Sequence, residues 1–239
     1  MLFDYNIYSS SLETINFKHV KLINTINPHS YCIAKEDKVF EQALKSSDLL
    51  LPDGIGIVWA EKFINGNSIN KIAGYDVFTF LMNKLNNENS SVFFLGSSMD
   101  TLEKIRLKCR LQYPNINFGC YSPPYKSNFS ENDSKIMCDN INTFKPDVLF
   151  VGMTAPKQEK WTYQFKNELD VNTICSIGAV FDFYAGNVER SSDFWIKLGL
   201  EWLPRFLKEP RRLFKRNFVS TPKFILEVFW FKFFGKGIL

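Results

Sequence analysis

Asp53 stands in the tripeptide Pro52-Asp53-Gly54, directly after the apolar run LLL and before IGIVW. A carboxylate at the end of a buried strand, partly removed from water, can take a proton from a hydroxyl group. Pro-Asp-Gly is also a common turn tripeptide, so residue types alone leave a purely structural role open. FLGSSMDTLEKI reads as strand, small-residue turn and helix start. Free backbone N–H groups at Ser97 and Ser98, after Gly96, suit a phosphate there. The turn lacks P-loop or GxGxxG spacing, and Ser98 is equally suited to cap the helix. In VGMTAPKQEKW, Gln158 and Glu159 open a helix soon after a strand ending near Gly152, and Glu159 also suits the helix dipole.

Other chemistries find little support. His19 and His29 are the only histidines, no Asp-X-Asp pair stands at a strand end, and no Gly-X-Ser-X-Gly is present. A divalent metal therefore has no evident ligands, and covalent nucleophilic catalysis has no evident nucleophile. The five cysteines are odd in number and form no CxxC pair, which suits reduced thiols in a cytosol. The N-terminus, MLFDYNIYSS, has neither the basic region nor the apolar run of a signal peptide.

The elements that position these residues alternate short apolar runs with amphipathic stretches, the pattern of a parallel sheet covered by helices. Strands are predicted at 20–26, 48–52, 91–96, 116–121, 147–153 and 172–178. Helical spacing is predicted over 38–47, 77–87, 101–112, 133–144 and 156–169, with an exposed loop at 120–134. In such a sheet ligands collect at the carboxyl ends of the strands. That rule singles out Thr25 to Asn27, Asp53-Gly54, Gly96 to Ser98, Gly152 to Pro156 and Gly178-Ala179. With 45% hydrophobic and 23% charged residues, the 239-residue chain suits one α/β body with an appendage.

Charge divides the chain at about residue 195. Residues 195–239 hold ten Lys/Arg, three Asp/Glu and eleven aromatics, while the whole protein carries only +4. Basic charge interleaved with Phe and Trp suits an anionic membrane surface, and suits nucleic acid less well because the charge lines no groove. No uncharged run approaches the roughly 20 residues of a membrane span. The tail is predicted as amphipathic helices, with Trp202, Leu203, Phe206 and Leu207 on one face and Leu213, Phe214 and Phe218 on another. Thr221 is the expected N-cap of a last helix opened by Pro222. Arg205, Arg211, Arg212 and Arg216 would lie opposite the apolar face, either against lipid head groups or reaching the site to neutralise a departing diphosphate.

Six blocks in order make the chain resemble the WecG/TagA/CpsF family of bacterial glycosyltransferases (glycosyltransferase family 26), from about Val20 to about Phe218. They are INTINPHSYCIA, LLLPDGIGIVWA, KIAGYDVF, FFLGSS, VGMTAPKQEKW and GAVFDFYAGNVERSSDFWIKLGLEWLPRFLKEPRR. The resemblance implies a Rossmann-like core of GT-E type over 1–194 and a membrane-docking appendage over 195–239 that completes the site. It implies inverting, metal-independent transfer, without a cofactor, from a UDP-sugar to an undecaprenyl-diphosphate-linked sugar. The work would be done peripherally at the cytoplasmic membrane face, for teichoic acid, common antigen, capsule or a related glycan.

Carried over by motif, Asp53 is the expected base, Thr25 lines its pocket and Gln158 touches donor or acceptor sugar. Arg205 and Arg212, with Lys215 or Arg216, match the basic residues of the appendage. Asn27, Gly54, Lys71 and Asp76 are assigned to the acceptor pocket, and Gly96, Ser97, Ser98, Gly152 and Gly178 to the donor diphosphate. The chain departs from the family at Lys71, where Arg is usual, at Ser191-Ser192 in place of Ala-Pro, and at Asn217 in place of Tyr. The donor sugar stays open among N-acetylmannosamine, its uronic acid, glucuronic acid, glucose and galactose. A homo-oligomer covering the apolar tail is a further open alternative. A nicotinamide-dependent oxidoreductase and a non-enzymatic lipid-binding module are the competing readings. The first lacks its glycine fingerprint, and the second leaves the PDG, PKQE and EPRR blocks without purpose.

Overall fold

The computed structural model describes residues 2–192, 194–195 and 199–235. Six strands form one all-parallel sheet in the order β2-β1-β6-β5-β3-β4. These are β1 (Leu22–Ile26), β2 (Leu49–Pro52), β3 (Ser91–Gly96), β4 (Asn117–Tyr121), β5 (Val148–Gly152) and β6 (Thr173–Ser176). Every residue of β5 and β6 is buried, as expected of central parallel strands covered on both faces. All six predicted strands are present, β3 with the predicted bounds and the other five trimmed at one or both ends.

The helices of the body are α1 (Pro28–Glu36), α2 (Lys38–Lys45), α3 (Ile55–Asn65), α4 (Gly74–Asn87), α5 (Met99–Gln112), α6 (Glu131–Phe144), α7 (Lys157–Phe165) and α8 (Val180–Ala185). Three of these, α1, α3 and α8, were not anticipated. Each starts within a few residues of a strand end, and α3 has little polar face to give it a period. Local signals do define α1: Asn27 Oδ1 accepts from the His29 and Ser30 backbone N–H groups, both at 3.0 Å, and Pro28 opens the first turn.

The chain runs from β1 to β2 at one edge, then crosses to β3 and β4 at the other, and β5 and β6 return to fill the middle. Connections therefore diverge at the centre of the sheet and leave a crevice at the strands' carboxyl ends. Gly54, with φ of 100°, turns the chain out of β2 into α3, a backbone state in which a side chain is strained.

The C-terminal segment follows as α9 (Trp202–Lys208), α10 (Pro210–Phe214), a π-helical turn at Lys215–Ser220 and α11 (Thr221–Phe234). The expected break at Thr221 does not occur. Its hydroxyl donates to the Arg216 carbonyl at 3.0 Å, and the π turn carries the backbone into the proline without a cap. Phe224 and Val228 of α11 are fully buried in the same apolar cluster as Tyr31, Phe40 and Ile57, and Glu227 is buried with them. Lys35 pairs with Glu227 at 3.1 Å, and the N-terminal Phe3 ring meets both Tyr31 and Phe231. The tail is thus built into the body by its last helix. Asp193 at the end of the expected core, and residues 196–198 and 236–239 of the expected appendage, lie outside the described residues.

Candidate active site

A cavity of about 930 Å³ opens at the carboxyl end of the sheet, where residues following all six strands meet the C-terminal segment. Thr25 and Asn27 come from the end of β1, Asp53 from β2, Ser97 and Ser98 from β3, and Ser122 from β4. Gly152 and Met153 come from β5, and Ile177 and Gly178 follow β6. Arg205, Arg212, Leu213 and Arg216 close the other side.

Asp53 is held by register. Its backbone N–H donates to the Ile26 carbonyl at 2.9 Å, extending the β1–β2 ladder one residue past the sheet. Burial pushes its carboxyl above the ordinary range. Arg216, Lys71 and a hydrogen bond from the Asn27 side chain pull the other way, and Glu201 adds to the rise. One residue thereby does two jobs: Asn27 caps α1 with its oxygen and meets Asp53 with its amide.

The arginines face one another. Burial lowers the Arg205 pKa, and the neighbouring Arg216 and Arg212 lower it further, against the pull of Asp53 and Glu201. Arg205 lies over the Phe183 ring at 5.0 Å, and its buried Nε has no hydrogen-bond partner among the described residues. Arg212 Nε pairs with Glu209 at 2.8 Å, but crowded cations of which Arg205 keeps a buried, unspent donor suit a multiply charged anion, because such a ligand relieves both costs. Glu201 enters from the same segment and bonds Lys71 at 3.0 Å.

Gln158 is 3% exposed and Glu159 is 2% exposed, so neither is the surface-polar residue of a simple helix start. The Gln158 carbonyl oxygen accepts from the backbone N–H groups of Met153 and Gly178, both at 3.1 Å. Its amide donates to Glu159 Oε1 at 2.8 Å. Burial pushes the Glu159 carboxyl up to about 7, against that hydrogen bond. Between pH 4.5 and 7 the folded chain keeps a proton that the unfolded chain releases, so stability falls with rising pH across that window. Glu159→Gln does not titrate. Its stability relative to the parent is expected to rise between pH 5 and pH 8, by on the order of 1–3 kcal/mol, with its melting temperature rising relative to the parent's in step. Melts at the two pH values check this, and an unchanged difference would refute it.

Several expected residues stand behind the wall instead of lining it. Gly96 packs so closely on Gly152 that a Cβ would come within 2.4 Å of its carbonyl oxygen. Gly54 turns the chain into α3, and Lys71 meets Glu201. Asp76 caps α4 through the Ala73 N–H at 2.9 Å and pairs with Arg190 at 3.2 Å. Ser98 does line the cavity, but it spends its hydroxyl capping α5, accepting from the Thr101 N–H at 3.2 Å, which leaves the backbone of the turn to face the cavity. Of the tail cations, Arg216 lines the cavity while Arg211 and Lys215 do not.

His29, Asp182, Arg190 and Glu201 line the cavity and were missed. His29 was passed over as an isolated histidine, yet it begins α1 at a strand's carboxyl end, where the topological rule already pointed. Its Nδ1 is 2.8 Å from the Ser220 hydroxyl of the π turn, and burial with Arg216 and Lys215 nearby depresses its pKa. Among the described residues no group of three His, Cys, Asp or Glu side chains is placed to hold a metal ion.

A family model described as the glycosyl transferase WecG/TagA/CpsF family matches residues 6–237. A Bacillus subtilis (strain 168) protein named N-acetylglucosaminyldiphosphoundecaprenol N-acetyl-beta-D-mannosaminyltransferase is 33% identical over 207 residues, covering 87% of this chain and 78% of that protein. A Bacillus spizizenii protein of the same name is 32% identical over 92% of this chain and 84% of its own length. A Staphylococcus aureus (strain MW2) protein of that name is 25% identical over 86% of this chain and 78% of its own.

Proposed function

Because the chain belongs to the WecG/TagA/CpsF family of glycosyltransferases, we propose that it moves N-acetylmannosamine from a UDP donor onto undecaprenyl-diphosphate-linked N-acetylglucosamine, with inversion and without a metal. The observation that carries this reading is the meeting of Asp53 with Arg205, Arg212 and Arg216 in one cavity. A base and a set of cations are what the displacement requires. The acceptor hydroxyl oxygen attacks the anomeric carbon as Asp53 takes its proton. The bond from that carbon to the β-phosphate oxygen breaks, and the electron pair leaves with UDP. The growing negative charge falls where the arginines point, so their field stabilises the transition state more than the bound donor. Backbone amides after β3, at Ser97 and Ser98, and those around Gly178 after β6, whose own N–H goes to Gln158, are the proposed cradle for the nucleotide.

The sugar and the acceptor follow the names of the relatives, and a panel of UDP-sugars tests them. The purified chain is offered each donor with a lipid-linked N-acetylglucosamine diphosphate acceptor, and products are read by mass. The expected product comes from UDP-N-acetylmannosamine and survives EDTA. Transfer of another sugar would correct the donor, and loss of activity in EDTA would end the metal-free mechanism.

The tail is proposed to rest on the membrane at the inner face. Among the described residues no helix is long and apolar enough to cross one. Phe214, Phe218, Leu226, Phe229, Trp230 and Phe233 are 42–72% exposed, on the same segment that turns its arginines inward. Exposed apolar side chains beside Lys and Arg favour a leaflet with anionic head groups. Leu226, Trp230 and Phe233 recur at helical spacing on α11, so changing all three to Ser is expected to weaken binding to anionic vesicles about 100-fold. Flotation checks it, and undiminished binding would remove α11 as the contact.

A further inference from the structure

The displacement above makes no use of Glu159, although keeping a carboxyl there is costly. It is 2% exposed, lines the cavity, and has no ion pair among the described residues. Its Oε2 has no hydrogen-bond partner among them either. Its one side-chain hydrogen bond among the described residues is from the Gln158 amide, at 2.8 Å. Among the described residues that amide is the one side-chain bridge between the turns after β5 and β6: its oxygen takes the N–H of Met153 and the N–H of Gly178. An amide can accept at both only when its NH2 points the opposite way, and a partner that accepts must then meet the NH2. Glu159 Oε1 is that partner.

We propose that Glu159 is a positioning residue for this glycosyl transfer: by accepting from Gln158 it sets that amide's orientation, and through it the separation of the turn after β5, which lines the cavity, from the turn after β6, which belongs to the donor cradle. The proposal rests on the donor-binding reading above. It explains why a buried carboxyl persists without a cation, and why the pair Gln158-Glu159 opens α7 as a unit.

The test uses the full chain and four variants: Glu159→Leu, Glu159→Gln, Gln158→Ala and the double variant Gln158→Ala/Glu159→Leu. Leu fills the volume and removes the acceptor, whereas Gln supplies a carbonyl oxygen in its place. Glu159→Leu is expected to raise KM for the UDP-sugar about tenfold with kcat changed much less, and Glu159→Gln to restore KM. The double variant should be no worse than Gln158→Ala alone, because both act through one amide. Amide hydrogen exchange at Gly178 should quicken in Glu159→Leu and stay slow in Glu159→Gln.

Parental KM in Glu159→Leu, equal impairment by Leu and Gln, or additive losses in the double variant would each overturn the proposal. Equal impairment would mean direct contact with substrate. If Glu159→Leu fails to fold, the Glu159→Gln kinetics and exchange still decide. If the parent transfers no sugar from any UDP donor, the functional reading fails, and the exchange arm judges the positioning role on its own.

Discussion

Asp53→Asn is expected to lower kcat about 10²–10⁴-fold, the usual contribution of a positioned general base, while the melting temperature holds or rises. Asparagine keeps the shape of the side chain and still accepts from Asn27, but it cannot take a proton. A carboxylate raised by burial above its ordinary range is one the fold holds at a cost, so its removal should not weaken the body. The pH dependence has a definite sign. The base works ionised, so kcat/KM falls as pH drops through its pKa, and that acid limb should lie above the ordinary carboxylate range. Glu201 contributes to the rise, whereas Arg216 and Lys71 oppose it. Glu201→Gln removes a negative neighbour and releases Lys71 from its ion pair, so it should move the limb to lower pH. A fully active Asp53→Asn enzyme would remove the assignment, and a limb unmoved by Glu201→Gln would remove the electrostatic account of it.

Arg216→Ala and Arg205→Ala are each expected to lower kcat about 10²–10³-fold, the scale seen when one stabilising donor is taken from a developing anion. Inhibition by UDP should weaken in parallel, because the leaving group and the product carry the same diphosphate. Arg211→Ala is the internal control: it shares the segment and the charge but does not line the cavity. Equal losses at all three positions would mean that the arginines act through the membrane and not through the site. Deleting the tail from residue 195 is a poorer experiment than its charge pattern suggests. Phe224 and Val228 are fully buried against α1 and α3, and truncation would open that core before it could report on chemistry. Point substitutions on the cavity side leave this packing in place.

Much of the body was legible because parallel strands write themselves plainly. An interior strand such as VLFVG, buried at every residue, has no polar face to confuse its reading. The amphipathic α2 and α4 were equally plain. α1, α3 and α8 were not, because each begins within a few residues of a strand end and borrows its start from that turn. The site was legible to the extent that strand ends mark it. Asp53, Thr25, Asn27, Ser97, Ser98, Gly152, Gln158 and Gly178 all line the cavity. His29, Asp182, Arg190 and Glu201 also line it, and residue type and local spacing distinguish none of them from ordinary surface polarity.

The pattern of the chain by itself determined the class of sheet, the carboxyl-end location of the site and the concentration of net positive charge, with aromatics, in the tail. Those are properties of local period and composition, and they need no knowledge of what touches what. Only the tertiary structure decided that the Gln158 side chain is spent on Met153, Gly178 and Glu159, that Arg216 lines the cavity while Arg211 does not, and that the last helix belongs to the core. Each of these depends on the direction of a side chain after a crossover or a π turn. One residue of helical rotation is about 100°, and no charge count along the sequence carries that angle.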